Sequence, residues 1–237
     1  MESLSENEQI KAQDKRRKSC FRILVCLNGS EESLLGIKHA AEISKYGKCD
    51  IILLYVRQVD QGLRTGGLQL RLARQNMLDW GLELPGIQYL KQGLELLIEN
   101  GAEISKDNMV VSHTDVWGDP LGDNKTEYKT NNGQSIVLKL KTAPDISTGI
   151  LDQCEMGPYN LIILGRPSHW RSGWNTFWGA GVVQKVAMVA PCSVLITRKH
   201  DSKMKKKGHL IYTDGGSDSL KYLIQDAVLA HHCKQKI

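Results

Sequence analysis

The 237-residue chain carries 31 Lys and Arg against 26 Asp and Glu, a net charge of +5, and 41% hydrophobic residues, enough to build a core. Much of the basic excess gathers in Lys15-Arg16-Arg17-Lys18 and between Lys203 and Lys207, short runs that read as solvated linkers and not as a nucleic-acid surface. No apolar run reaches the ~18 residues of a membrane-spanning helix, and the N-terminal MESLSENEQIKAQDKRRK is polar where a signal peptide is apolar, so no membrane association and a cytoplasmic address are expected.

In chain order, FRILVCL (21–27) predicts a first buried strand. Asn28-Gly29-Ser30 then makes a turn, Ser30 caps a helix, and Leu34, Ile37 and Ala41 give that helix a buried stripe until Gly47 stops it. DIILLYV (50–56) predicts a second strand. Pro85-Gly86 separates the Leu68–Trp80 region, whose helix is less clearly marked, from a periodic stretch at Leu90, Leu94 and Leu97 that ends at Gly101. MVV (109–111) reads as the third strand. The polar, turn-rich GDPLGDNKTEYKTNNGQ and the alternating QSIVLKLKTA after it suggest a β-hairpin or flap inserted at about 112–159; a surface loop without fixed structure is the alternative. NLIIL (160–164) predicts a fourth strand. Val182, Val183, Val186, Ala187 and Ala190 mark one helical face, Pro191 ends that helix, and SVLIT (193–197) is the fifth strand. Continuous apolar strands alternating with helices indicate an α/β fold, an open five-stranded parallel sheet with helices on both faces.

The six cysteines form no C-x-x-C pair and several sit in or beside apolar runs, which suits reduced thiols. An internal repeat emerges when the basic runs are superposed: KRRKSCFRILVCLNGSEESLLGIKHAA resembles KMKKKGHLIYTDGGSDSLKYLIQDAVLA, aligning Leu24 with Leu210, Gly29 with Gly215, Ser33 with Ser219, Leu34 with Leu220 and Ala41 with Ala227. The expected organisation is a polar tail at 1–19, one domain at 20–199, a basic linker at 200–208, and a partial second copy at 209–237. One strand and one helix cannot bury a core alone, so this copy needs a partner surface.

The stretch LIILGRPSHWRSGWNTFWGAG (161–181) breaks a buried strand at a glycine and opens onto a loop rich in Arg, Ser and Trp. Together with RILVCLNGSEESLLGIKHAAEI at the front and VVQKVAMVAPCSVLITR at the back, it resembles the universal stress protein family over roughly 20–198, with the start of a tandem second domain. The resemblance implies a sheet that binds ATP or AMP, with Mg, where the strand order reverses. Binding members of the family carry a glycine, a second glycine after two residues, and a later glycine with serine or threonine. Such glycines let backbone N–H groups approach phosphate at a helix N-terminus.

Carried over residue by residue, the resemblance assigns Cys26, Asn28, Val56, Leu164, Gly165, Ser168, Gly181 and Val182 to the pocket. The chain departs from the motif at three points: Ser168 stands for the second glycine, Ala180-Gly181 stands for the glycine and hydroxyl pair, and Asn28 replaces the family's aspartate, which the second copy keeps as Asp214. The resemblance also implies a homodimer through the last strand, Ser193 to Arg198, an apolar edge strand that needs a partner.

Trp170, Trp174 and Trp178 recur every fourth residue, as a base-stacking lid, a partner surface or the packing of a long loop. Arg166 and Arg171 suit either phosphate clamps or solvated loop positions, and His169 is the histidine best placed for a functional role. His231-His232-Cys233 lacks a second ligand cluster and is not read as a metal site. No Ser-His-Asp, H-E-x-x-H or P-loop pattern is present. Three functions remain in play: a nucleotide-responsive stress regulator that does not catalyse, a slow ATPase on the same scaffold, and a structural dimer module without a ligand.

Overall fold

A computed structural model describes residues 20–59, 85–116, 119–166 and 180–198, with scattered positions between 216 and 230. The elements run β1 (Phe21–Cys26), α1 (Glu31–Ser44), β2 (Cys49–Gln58), α2 (Pro85–Glu99), β3 (Ile104–Val116), β4 (Asp119–Thr130), β5 (Ser135–Ala143), α3 (Ile146–Glu155), β6 (Leu161–Gly165), α4 (Ala180–Val189) and β7 (Ser193–Thr197). They form one seven-stranded sheet in the order β3-β4-β5-β2-β1-β6-β7. The pairs β5–β2, β2–β1, β1–β6 and β6–β7 are parallel, and β3 and β4 join antiparallel. The expected five-stranded parallel sheet is therefore present, widened by two strands.

Alternation along each strand sends residues to two cores. Ile23, Val25, Leu27, Leu53, Leu138 and Ile163 meet α1 and α2 on one face. Leu24, Cys26, Leu54, Val137, Ile162 and Leu164 meet α3 and α4 on the other. β1 is buried without a break from Arg22 to Leu27 because it is covered on both faces and paired on both edges. The first helix forms as its signals predict: Ser30 Oγ accepts from the Ser33 N–H at 3.2 Å, and Ile37 and Ala41 are buried. Pro85 opens α2 as its first residue, where a missing N–H costs nothing, and Leu90, Leu94 and Leu97 are its buried stripe. In α4, Val183 and Val186 are buried but Ala187 faces outward, so that stripe is narrower than its periodicity suggests.

The third strand needs correction. MVV lies in the sheet's end strand β3, where Met109, Val110 and Val111 are all exposed. The third core strand is SIVLKLKTA, β5, paired parallel to β2 and antiparallel to β4. Its alternation misleads because its two faces differ: Ile136, Leu138 and Leu140 enter the α2-side core, while Lys139 and Lys141 share the other face with Val137. The inserted hairpin is real, but it precedes this strand and extends the sheet edge. Residues 146–155, which fall in the same inserted stretch, form α3, capped by Asp145.

Two polar clusters fasten the extension. Arg57 of β2 makes a bidentate pair with Asp119 of β4 at 2.6 and 2.7 Å and donates to Thr142 Oγ1 at 3.0 Å, all of it buried. On β4, Glu127 accepts from Lys125 at 2.8 Å and Lys129 at 2.5 Å and, across to β5, from Ser135 Oγ at 3.0 Å. Burial alone would raise the Glu127 pKa, but hydrogen bonds and charge from both lysines outweigh it and bring it to about 2. The described positions between Gly216 and Ala230 have helical backbone from Ser217 on; Ala230 is fully buried, while Leu220 and Ile224 are exposed. The second copy's strand, like Leu68–Trp80, lies outside the described residues.

Removing one member of the Arg57 pair strands a buried charge. Asp119→Ala should lower the unfolding free energy by about 3–5 kcal/mol in urea denaturation, and replacing both residues with apolar ones, Arg57→Met with Asp119→Leu, should recover most of it. A single-variant loss below about 1 kcal/mol would contradict a fastening role. Glu127 sets an acid limit: its folded pKa lies below the unfolded value of about 4.3, so its contribution is complete above that value and fades as pH falls toward 2. Over that window, Glu127→Gln should lose less stability than the parent chain does, as followed by circular dichroism.

Candidate functional site

The strand order reverses at β1. The chain proceeds from β1 to β2 and then β5 on one side, and to β6 and β7 on the other. A crevice is expected at the carboxyl ends of β1 and β6, where Cys26 lies in register with Leu164. Three segments meet this end of the sheet: the Asn28–Ser30 turn, Gly165–Arg166, and the first turn of α4, which crosses from β6 to the parallel β7.

The turn is tightly organised. Asn28 Oδ1 accepts from the Ser30 N–H at 3.0 Å, and Gly29 has φ +76°. A Cβ at Gly29 would run into the Tyr89 ring of α2, which is itself tilted against Tyr55 at 5.8 Å between centroids. At the end of β6, a Cβ on Gly165 would lie 2.5 Å from Ser33 N and 2.8 Å from Glu32 C. Gly165 is thus required by the closeness of α1. Thr197 of β7 ties the same corner, its Oγ1 donating to Glu32 O at 2.7 Å, while the Arg166 N–H donates to Thr197 O at 2.9 Å.

The remaining assigned residues divide into core and rim. Cys26, Val56 and Leu164 have their side chains in the α3/α4-side core, so only their backbones face the crevice end. The Cys26 thiol is pushed well up by burial and then by its neighbours Cys154 and Cys192. Val56 packs against α3, where a Cβ at Gly149 would meet its methyl groups. Val182 is partly buried on the same core. Gly181 is exposed, and a Cβ there would meet nothing within 4 Å. Ser168 lies outside the described residues, as do His169, Arg171, the three loop tryptophans and His231-His232-Cys233. Structure adds Asp145, which the sequence reading left out. Hydrogen bonds from Ser147, the Thr148 hydroxyl and the Thr148 N–H hold its carboxyl well below the usual range, and its Oδ1 lies 3.8 Å from Lys185 Nζ of α4. The D-x-x-T spacing of a helix cap was the available signal. Among the described residues, no group of three or more His, Cys, Asp or Glu side chains is placed to hold a metal, and no helix is long and apolar enough to cross a membrane.

The sequence profile of the universal stress protein family matches residues 21–198. The chain belongs to that family. Solved structures similar to this universal stress domain include the universal stress protein UspA from Lactobacillus plantarum, 18% identical, covering 75% of this chain and 97% of that one with a TM-score of 0.45. A universal stress protein from Archaeoglobus fulgidus in complex with dAMP is 13% identical over 75% and 97%, TM-score 0.41. A family member from Arabidopsis thaliana with AMP bound is 13% identical over 84% and 99%, TM-score 0.38. No curated protein matches the chain at a significant level.

In this universal stress domain Gly165, the last residue of β6, has a packing role independent of any ligand. Gly165→Ala should therefore cost about 1–3 kcal/mol of stability in ligand-free protein, measured by thermal or urea unfolding. An unchanged midpoint would mean that α1 moves aside freely and that the glycine serves only a ligand.

Proposed function

We propose that this chain is a cytoplasmic regulatory module of the universal stress type that holds an adenine nucleotide, AMP or ATP, across the carboxyl ends of β1 and β6 without turning it over. The observation that carries the reading is the strand-order reversal at β1, with the N-terminal turn of α4 on the same side of the sheet and unobstructed at Gly181. Exposed N–H groups in that turn suit phosphate. Gly181 offers them without a side chain, although the hydroxyl donor of the family pattern is missing. At the turn after β1, Asn28 has committed Oδ1 to Ser30, which leaves its Nδ2 as a donor toward a ribose or base acceptor. An aspartate there would have offered acceptors alone. The end strand β7, with Ile196 exposed, fits pairing with a second copy of the chain, through which occupancy would be read out.

A ligand-free dimer module is the second reading, favoured by Gly165, whose glycine identity packing alone explains. Melting curves with AMP, and with ATP and Mg²⁺, separate the two. Nucleotide at a hundred times its Kd should add about 2.7 kcal/mol of stability with no phosphate released, and Asn28→Ala should weaken the effect. No shift with either nucleotide at millimolar concentration would leave the dimer module standing, whereas steady phosphate release would make the domain an ATPase.

A further inference from the structure

A second polar site lies near the other end of β1. Between α3, the start of β1 and β2, and the strands β5 and β4 there is a cavity of about 330 Å³. Arg22 stands about four residues before Cys26, roughly 13 Å along the strand, so this cavity is separate from the crevice at the carboxyl ends.

Its floor is built around Arg22, which is 8% exposed. The guanidinium donates through one terminal nitrogen to Pro158 O at 3.0 Å and stacks over Tyr159 at 4.7 Å from the ring centroid. Gly157 leaves room for it: a Cβ there would lie 2.8 Å from Nη1. Held on these sides, Arg22 keeps a buried Nε that has no hydrogen-bond partner among the described residues. Gln153 of α3 is 5% exposed and fixed from the same tyrosine, donating through Nε2 to Tyr159 Oη at 2.7 Å, while its Oε1 is buried and unpartnered. Turning the amide over would satisfy the oxygen and strand the nitrogen instead, so Gln153 has an unmet group in either orientation. Buried polar atoms are nearly always paired, and here two residues that line the same cavity each keep one buried polar atom unpaired.

The rest of the lining carries both signs. Lys125 and Lys139 stand on the β4 and β5 side, with Asp50 beside Arg22 in the β1–β2 register and Asp123 on β4. A purely anionic ligand would meet Asp50 and Asp123; a purely cationic one would meet Arg22. The volume lies at the lower end of ligand pockets, about 300–1,000 Å³.

We propose that this cavity binds a free α-amino acid, its carboxylate facing the Arg22 guanidinium and its ammonium group facing the Gln153 amide and the neighbouring carboxylates. The universal stress domain then has two small-molecule sites, one at each end of β1.

The test uses the full chain. Glycine, L-alanine, L-glutamine and L-glutamate are titrated at millimolar concentration by thermal shift, with acetate and methylamine as half-ligands and AMP as a probe of the other site. At least one amino acid should raise the melting temperature by roughly 5–10 °C at a hundredfold excess over Kd, and neither half-ligand should. The same amino acid should move the Arg22 Nε–H resonance in ¹⁵N spectra. Gln153→Met and Arg22→Lys should each weaken it at least about tenfold, the worth of one hydrogen bond to a charged group. Should Arg22→Lys fail to fold, Gln153→Met and the resonance carry the test. Binding that survives Gln153→Met without moving the resonance, or no response to any of the four amino acids, overturns the proposal. An AMP response alone does the same and leaves the nucleotide reading intact.

Discussion

Everything in this domain is referred to β1, which hydrogen-bonds parallel partners on both edges and is covered by helices on both faces. Parallel strands cannot be joined by tight turns, so β2 and β6 each reach β1 through a crossover, and crossovers on opposite sides place helices on opposite faces. From that follow the two cores and the reversal of strand order. The same burial constrains the polar residues at the strand's start. Arg22 is nearly buried at the start of the strand, and its guanidinium is met on one side by the segment before β6, by Pro158 O and the Tyr159 ring.

The parallel part of the fold was legible in the sequence because three of its strands, β1, β2 and β6, are buried on both faces. FRILVCL, DIILLYV, NLIIL and SVLIT carry no polar alternation to misread, and Ser30, Gly101 and Pro191 punctuate the helices between them. β5 was misread because its α3-side face is partly polar: Lys139 and Lys141 approach Met156 Sδ at 3.7 and 3.9 Å, and Lys141 is 8% exposed. A lysine stem buried along apolar surface looks in sequence like one in water. MVV made the opposite error. Three apolar residues in a row suggested a covered strand, yet β3 is the end of the sheet and exposes them all.

The candidate site was legible in position and not in detail. Gly165 and Asn28 were found, but the reasons for their identity are three-dimensional: α1 backbone lies against Gly165, and the Asn28 side chain closes its own turn. Neither contact leaves a periodic trace. Arg22 and Gln153 were invisible as a pair, since 131 positions separate them and only Tyr159 brings them together.

The widening of the sheet accounts for the second cavity. Seven strands at about 4.8 Å span roughly 29 Å, while α3 and α4, packed side by side about 10 Å apart, cover only about 20 Å of it. The helices sit over the parallel strands because the crossovers put them there, so on the α3 side no described helix lies over β4 and β3. The side chains of these strands that line the cavity are polar, among them Ser112, Thr114, Asp123, Lys125 and Glu127. A step forms where the helical layer stops, and polar residues of the extension confront the last buried groups of the parallel core across it. The reversal of strand order lies at the carboxyl end of β1. The added strands, held down by Arg57 and Asp119, create the recess at the other, so any ligand of that recess is a property of the extension and not of the parallel sheet.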